Sequence, residues 1–197
     1  KQLRRVQNSA DVLNWNTDKH YLKELAALGM PTIPTNWLEP EQNLSKHQIH
    51  TRFPAFGEFV VKPAVSSGVR DIGRYTTVDT RQRQAAMRQV QGLLGEGRSV
   101  MIQRYVEEID LHGEISLVFF NGLVSHAVEK RSALHPASVS DPAVHEAVVT
   151  AEAADSVAWK WGEEIRRVLH GYVRSRLGHD EQFLFNRVDL VPDGKGS

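Results

Sequence analysis

The sequence predicts an α+β protein, and three observations carry that reading. Two short apolar runs with strand character, Phe59-Val60-Val61 and Val100-Met101-Ile102, flank a segment from Thr80 to Leu94 that has helical spacing. Asn121-Gly122 separates two further apolar runs, Ile115 to Phe120 and Leu123 to Glu129, as the turn of a two-residue hairpin does. The stretch from Phe183 to Val191 alternates, so one face is mostly apolar and the other carries Arg187 and Asp189. At 197 residues the chain suits one ordinary domain or two small lobes.

In chain order, residues 1–16 are polar and basic around Trp15 and read as a linker. Thr17 is placed to cap a helix with Asp18 in its first turn; Leu22, Leu25, Ala26 and Gly29 share one face, and Gly29 ends it. Met30 to Leu38 is proline-punctuated with a strand-like Thr32-Ile33 core, and a second short helix is expected from Glu41 to Thr51. Lys62-Pro63 closes the Phe59 strand, and Ala64 to Gly73 reads as a small, polar loop leading to a strand from Gly73 to Val78. The helix from Thr80 turns Met87, Val90 and Leu94 inward and Arg81, Arg83 and Arg88 outward. Ala143 to Leu177 is expected as one long or two short helices, with a break near Gly162 and with Trp159 and Trp161 as packing residues beside it. After the last strand, Pro192-Asp193-Gly194-Lys195-Gly196 is a turn with no strand to follow, so the natural protein is expected to continue further.

Composition narrows the function. Hydrophobic residues are 41% of the chain and charged residues 24%, enough for a core and a soluble surface. Lysine plus arginine equals aspartate plus glutamate at 24 each, so net charge supplies no attraction to nucleic acid or to an anionic membrane, and neither partner is expected. Any phosphate binding must come from local basic groups. There is no cysteine, which excludes disulfides, thiolate nucleophiles and cysteine-based zinc sites. The nine histidines show no metal-ligand spacing, and only His126 and His135 stand out. No apolar run approaches a membrane span and none follows Lys1-Gln2-Leu3-Arg4-Arg5, so a cytoplasmic protein is expected.

The residues that carry chemistry fit a triphosphate. Lys62 ends a strand with an ammonium beside a loop, where a point charge can meet phosphate. Ser66, Ser67 and Gly68 offer hydroxyls and a close backbone approach to phosphate oxygens. Taken alone, Val60-Val61-Lys62-Pro63 is a strand end with a solvated lysine, and Arg187 with Asp189 is a same-face ion pair of small worth. Taken together, three ordered segments resemble the motifs of ATP-grasp ligases: Asn14-Trp15-Asn16-x-Asp18-Lys19, Val60-Val61-Lys62-Pro63-x-x-Ser66-Ser67-Gly68, and Arg187-Val188-Asp189. Met101-Ile102-Gln103-Arg104-Tyr105-Val106 and Gly113-Glu114-x-Ser116 fall between them in the expected order.

The resemblance, over residues 14 to 191, implies a two-lobed ATP-grasp fold with nucleotide between the lobes. Residues 1–30 would be a linker and opening helix, 31–103 the small lobe, and 104–197 a large lobe without its last strand; the domain that precedes such a body would also be missing. ATP and Mg2+ would be the cofactors. The resemblance places Lys19 and Lys62 on the α- and β-phosphates and folds Ser66, Ser67 and Gly68 over the β- and γ-phosphates. Gln103, Arg104, Tyr105 and Val106 would read the adenine edge through backbone groups, Asp110 would take the ribose hydroxyls, and Glu114 would orient nucleotide or substrate. Lys130 and Arg131 would lie near the transferred phosphoryl, Arg187 would stabilise an acyl-phosphate and its tetrahedral successor, and Asp189 would ligate magnesium. The remaining metal ligands of the family belong to the strand after the final turn.

The implied activity is phosphorylation of a small carboxylate by ATP, followed by attack of an amine, both substrates being small molecules. The Asp18-Lys19 opening and the Ser66-Ser67-Gly68-x-Arg70-Asp71-x-Gly73-Arg74-Tyr75 loop are most similar to amino-acid and peptide ligases of the kind used in antibiotic biosynthesis, the D-cycloserine-ligase-like branch included. Two alternatives stay open: a non-catalytic ATP-binding regulatory module on the same fold, and an ATP-grasp kinase. A homodimer is allowed, and the oligomeric state is open.

Overall fold

The computed structural model describes residues 8–66, 71–130, 134, 146–149 and 156–192. They fall into two compact units, one formed by Thr17–Tyr105 and the other by Lys1–Asn16 with Val106–Ser197. The break follows Tyr105 rather than residue 103, and the N-terminal segment goes with the second unit.

The first unit is a four-stranded antiparallel sheet in the order β1-β4-β2-β3, built from Thr35–Leu38, Val100–Arg104, Glu58–Pro63 and Gly73–Thr76. The alternation of β2 decides its two faces. Phe59, Val61 and Pro63 turn to a buried core, whereas Glu58, Val60 and Lys62 share the other face. The core side is closed by α4, Thr80–Gly95, and by the short α3, Lys46–His50. Leu38, Ile49, Phe53, Phe59, Val61, Ala86, Val90, Leu93, Val100 and Ile102 form one buried cluster. The buried stripe of α4 is Ala86, Val90 and Leu93, with the expected Met87 and Leu94 on its flank, because positions spaced four and three apart define its centre.

Several boundaries differ from expectation for identifiable reasons. The expected helix over 41–51 is split into a 3-10 turn at Pro40–Gln42 and α3, divided by Asn43 at φ 47° and restarted by Ser45, whose hydroxyl accepts from the Gln48 N–H. Thr17 does not open a helix. It is the last residue of α1, Ala10–Thr17, and the next helix, α2, runs Tyr21–Ala27. The strand expected around Thr32-Ile33 forms instead at Thr35–Leu38.

The second unit is also a four-stranded antiparallel sheet, ordered β7-β6-β5-β8 from Glu146–Val149, Leu123–Lys130, Glu114–Phe120 and Phe185–Leu190. The Asn121-Gly122 turn forms as its dipeptide predicts, with both residues at positive φ (52° and 78°) and Phe120 paired to Leu123. Residues 1–16 are not all linker: Val12 of α1 is buried with Val173 and Phe183, and Trp15 packs beside Tyr172. The expected helix from 143 is overturned at its start, because 146–149 pairs with β6 as a strand and α6 begins at Ser156.

Nor does α6 break at Gly162; it runs unbroken over Ser156–Leu177. Gly162 is buried where the helix crosses β5, and a Cβ added there would overlap the Leu117 Cδ1. The glycine is a close-approach position. Trp159 packs edge-on to Phe119, whereas Trp161 is exposed. Among the described residues no helix is long and apolar enough to cross a membrane.

In a helix interior Gly→Ala ordinarily stabilises by about 1 kcal/mol. At Gly162 the sign is expected to reverse, with Gly162→Ala destabilising the second unit by about 1–3 kcal/mol in urea denaturation. A variant at least as stable as the parent contradicts the close packing described.

Candidate functional site

In the first unit the structure gathers Lys19, Ala64 and Ser66. The Lys19 amide donates to the Ala64 carbonyl at 3.1 Å. Its ammonium donates to the Ser66 Oγ at 2.9 Å, to the Ala64 carbonyl at 3.2 Å and to the Ser66 carbonyl at 3.4 Å. All three acceptors are neutral oxygens, so they satisfy the donors without cancelling the charge. Burial pushes the Lys19 ammonium below the ordinary lysine range, and the nearby Asp18 carboxylate pulls it back up. Lys62 sits on β2 next to this loop and is half-buried.

A second group fixes the backbone around Lys19. The Asp18 carboxylate accepts from the His20 N–H at 3.0 Å and lies 2.6 Å from the His20 Nδ1. The other ring nitrogen is 3.0 Å from the Glu39 Oε1, which also accepts from Lys23 at 3.1 Å. The His20 ring stacks on Trp37 at 4.5 Å between centroids, and the Lys23 ammonium lies 4.7 Å above the same indole. Burial alone would raise the Glu39 carboxyl, but hydrogen bonds from Ser99, His20 and Lys23 overcome it and hold the group at about 2.

The segment read as a hinge is tightly bonded. The Gln103 side chain is buried and donates to the Thr35 hydroxyl at 2.7 Å, and its backbone lies in the β4 ladder between β1 and β2. The Tyr105 N–H is taken by the Glu58 carbonyl at 2.9 Å. The Arg74 guanidinium lies 3.7 Å over the Tyr105 ring and pairs with Glu58, and Arg104 lies 4.4 Å over the ring of Phe56. Beyond Tyr105, Val106 accepts from the Ile109 N–H at 3.1 Å, and Asp110 lies in the short helix α5, Glu108–His112.

In the second unit, register brings the remaining candidates to one face of the sheet. Glu114 opposes Lys130, Ser116 opposes both Val128 and Asp189, and Val118 opposes both His126 and Arg187. Partners across an antiparallel ladder share a face, so Glu114, Ser116, Lys130, Arg187, Asp189 and His126 lie on one side. The opposite side, with Leu117, Phe119, Ala127 and Val188, is the core under α6. Arg187 and Asp189 are joined twice, Nε to Oδ1 at 2.7 Å and an amino nitrogen to Oδ2 at 2.9 Å, and the Ser116 hydroxyl donates to the Asp189 Oδ1 at 2.6 Å. The His126 Nδ1 lies 2.9 Å from the Ser125 hydroxyl.

No family model matches the chain. It is 34% identical over 191 residues to the cycloserine biosynthesis protein DcsG of Streptomyces lavendulae, covering 94% of this chain and 60% of that protein. The solved structure of D-cycloserine synthetase DcsG superposes with a TM-score of 0.77 at 31% identity, over 98% of this chain and 63% of that one. The chain is thus similar over nearly all of its length to this D-cycloserine synthetase, and it shares the ATP-grasp ligase fold. A more distant match is the D-alanine–D-alanine ligase of Bacillus anthracis complexed with ATP. It has a TM-score of 0.56 at 18% identity, over 90% of this chain and 51% of that one, and shows the fold. The chain thus spans 60% of the length of the curated ATP-grasp relative it matches.

Of the expected ATP-grasp positions, Ser67, Gly68 and Arg131 lie outside the described residues, as does His135, one of the two histidines that stand out in the sequence. Sequence reasoning missed His20, which follows Lys19, together with Trp37 and Glu39 from one segment and Ser99 from another. The usable signal was local: Asp18-Lys19-His20 places a carboxylate and a histidine on either side of the lysine.

The depressed Glu39 carboxyl has a pH consequence. Its folded value, about 2, lies below its ordinary 4.5, so its contribution is complete above the higher value and is lost as pH falls toward the lower. The stability difference between the parent and Glu39→Gln, read from urea midpoints, is therefore expected to shrink between about pH 5 and about pH 2.5. A difference that stays constant across that range contradicts the assignment.

Proposed function

We propose that this protein is an ATP-dependent ligase that activates a small, amino-acid-derived carboxylate for attack by an amine. The observation that carries the reading is the Lys19 ammonium resting on neutral oxygens of Ala64 and Ser66, at the end of the strand that holds Lys62. An ammonium held by neutral oxygens has no direct carboxylate partner among those contacts to cancel its charge, and as a compact point charge it can meet a phosphate oxygen. Support for the substrate class comes from the relatives, whose names place them in D-cycloserine formation and in D-alanine ligation.

In this reading Lys19, Lys62 and the Ser66 loop offset phosphate charge, and the family resemblance assigns the adenine to Tyr105 and Val106 and the ribose to Asp110. A carboxylate oxygen of the substrate forms a bond to the γ-phosphorus as the bond to the bridging oxygen breaks, and ADP leaves with that oxygen. The amine then adds to the acyl carbon, and inorganic phosphate departs as the C–N bond forms. Arg187 offsets charge on the acyl-phosphate oxygens and Lys130 assists from the same sheet face. Asp189, itself oriented by Ser116, holds Arg187 in place.

Magnesium, the ion such a reaction normally uses to neutralise phosphate oxygens, fits the described residues only in part. Asp189 is the candidate ligand; its Oδ1 already accepts from Arg187 and Ser116, and its Oδ2 accepts from Arg187 alone. Among the described residues no three His, Cys, Asp or Glu side chains converge as a metal site, so they do not make the octahedral oxygen set that magnesium prefers.

Lys62→Ala removes one charge-assisted contact and is expected to weaken ATP binding about tenfold to a hundredfold by calorimetry. Unchanged affinity in a folded variant removes the assignment of the phosphate site.

A further inference from the structure

We propose that Glu39 is a positioning residue for the Lys19 ammonium, acting through His20 on one side and through Ser99 and Ala64 on the other. The proposal rests on the reading of Lys19 as a phosphate ligand, and deepens it.

Two hydrogen-bonded routes lead from Glu39 to Lys19. The first is short. Glu39 meets the His20 Nε2 at 3.0 Å, and His20 is the residue after Lys19. The opposite ring nitrogen is held 2.6 Å from Asp18, the residue before Lys19, and the ring is stacked on Trp37. The chain is thus clamped on both sides of the lysine. The second route crosses the sheet. The Ser99 side chain helps hold the Glu39 carboxyl low, the Ser99 carbonyl accepts from the Ala64 N–H at 2.9 Å, and the Ala64 carbonyl accepts from both the Lys19 amide and its ammonium. One carboxylate therefore fixes the lysine's backbone and also the carbonyl on which its ammonium rests.

Such a device has a physical purpose. A lysine has four rotatable side-chain bonds, and ordering it when a phosphate arrives costs entropy that a pre-set geometry avoids. A carboxylate placed directly against Lys19 would hold it too, but would cancel its charge. Glu39 sits one residue removed, spending its charge on His20 and Lys23 instead. The bland alternative is that Glu39 with Lys23 is a surface pair, which would be worth little and would leave Lys19 untouched.

The test uses two independent readouts on the parent, Glu39→Gln, Lys19→Met and the double variant. Reductive 13C-methylation keeps lysine charge and makes each ammonium visible by NMR, so the titration of Lys19 can be followed without nucleotide. In Glu39→Gln the Lys19 signal is expected to move up toward the ordinary lysine range as the side chain leaves its half-buried seat. ATP affinity is expected to fall about tenfold while adenosine affinity stays within about twofold, and in the Lys19→Met background the same change is expected to have no further effect on ATP. An unmoved Lys19 titration, an equal loss for adenosine, or an undiminished effect in the Lys19→Met background overturns the proposal. If Lys19→Met alone leaves ATP binding unchanged, the phosphate reading fails, and the titration still decides whether Glu39 positions the lysine. Should Glu39→Gln not fold, Ser99→Ala keeps the carboxylate and removes one route; it is expected to shift the Lys19 titration in the same direction by less, and no shift overturns the proposal.

Discussion

A lysine ammonium held by carbonyl and hydroxyl oxygens, and by no side-chain carboxylate among its three recorded bonds, is the contact on which the rest of the molecule's functional reading depends. Hydrogen bonding and charge neutralisation are separable needs. Ala64 and Ser66 meet the first and leave the second unmet, which is the condition under which an anion gains most by arriving. The surrounding carboxylates respect that condition: Asp18 bonds to His20, and Glu39 bonds to His20, Lys23 and Ser99. Acidic groups close to Lys19 are committed to other cations and donors, and their effect is to hold its neighbours still.

The second sheet follows the opposite arrangement, with cation and carboxylate joined directly. Arg187 is tied to Asp189 by two contacts, and Asp189 is tied in turn to Ser116 on the adjacent strand. That pairing costs Arg187 some of its net charge and gives it a fixed orientation, which suits a group that must meet charge developing in one direction. The orientation is only as good as the register of β5 against β8, and that register is held from the far face by Leu117, Phe119 and Val188 beneath α6. Gly162 lets the helix come close enough to press on those residues. A position with no chemistry of its own thereby supports the chemistry on the other side of the sheet.

Where the sequence could be read, the period of a strand or the chemistry of a turn was enough. The alternation of Phe183 to Val191 separated Arg187 and Asp189 from Val188, and Asn121-Gly122 fixed a hairpin, because both signals span a few adjacent residues. Signals that depend on distant partners were lost. Glu146–Val149 lies in an alanine-rich stretch that resembles a helix, and only its pairing with β6 makes it a strand; the Val148-Val149 pair was the available hint. Gly162 looked like a helix break because a sequence does not show Leu117 lying across from it. The support around Lys19 was invisible for the same reason: Trp37 and Glu39 come from one segment and Ser99 from another, and they meet beside Lys19 only in the folded unit.

A crystal structure of the protein soaked with ADP tests the central claim most directly. The account predicts phosphate oxygens within about 3 Å of the ammonium groups of both Lys19 and Lys62. A nucleotide bound elsewhere, with Lys19 still closed on Ala64 and Ser66 and no phosphate near it, would contradict the account.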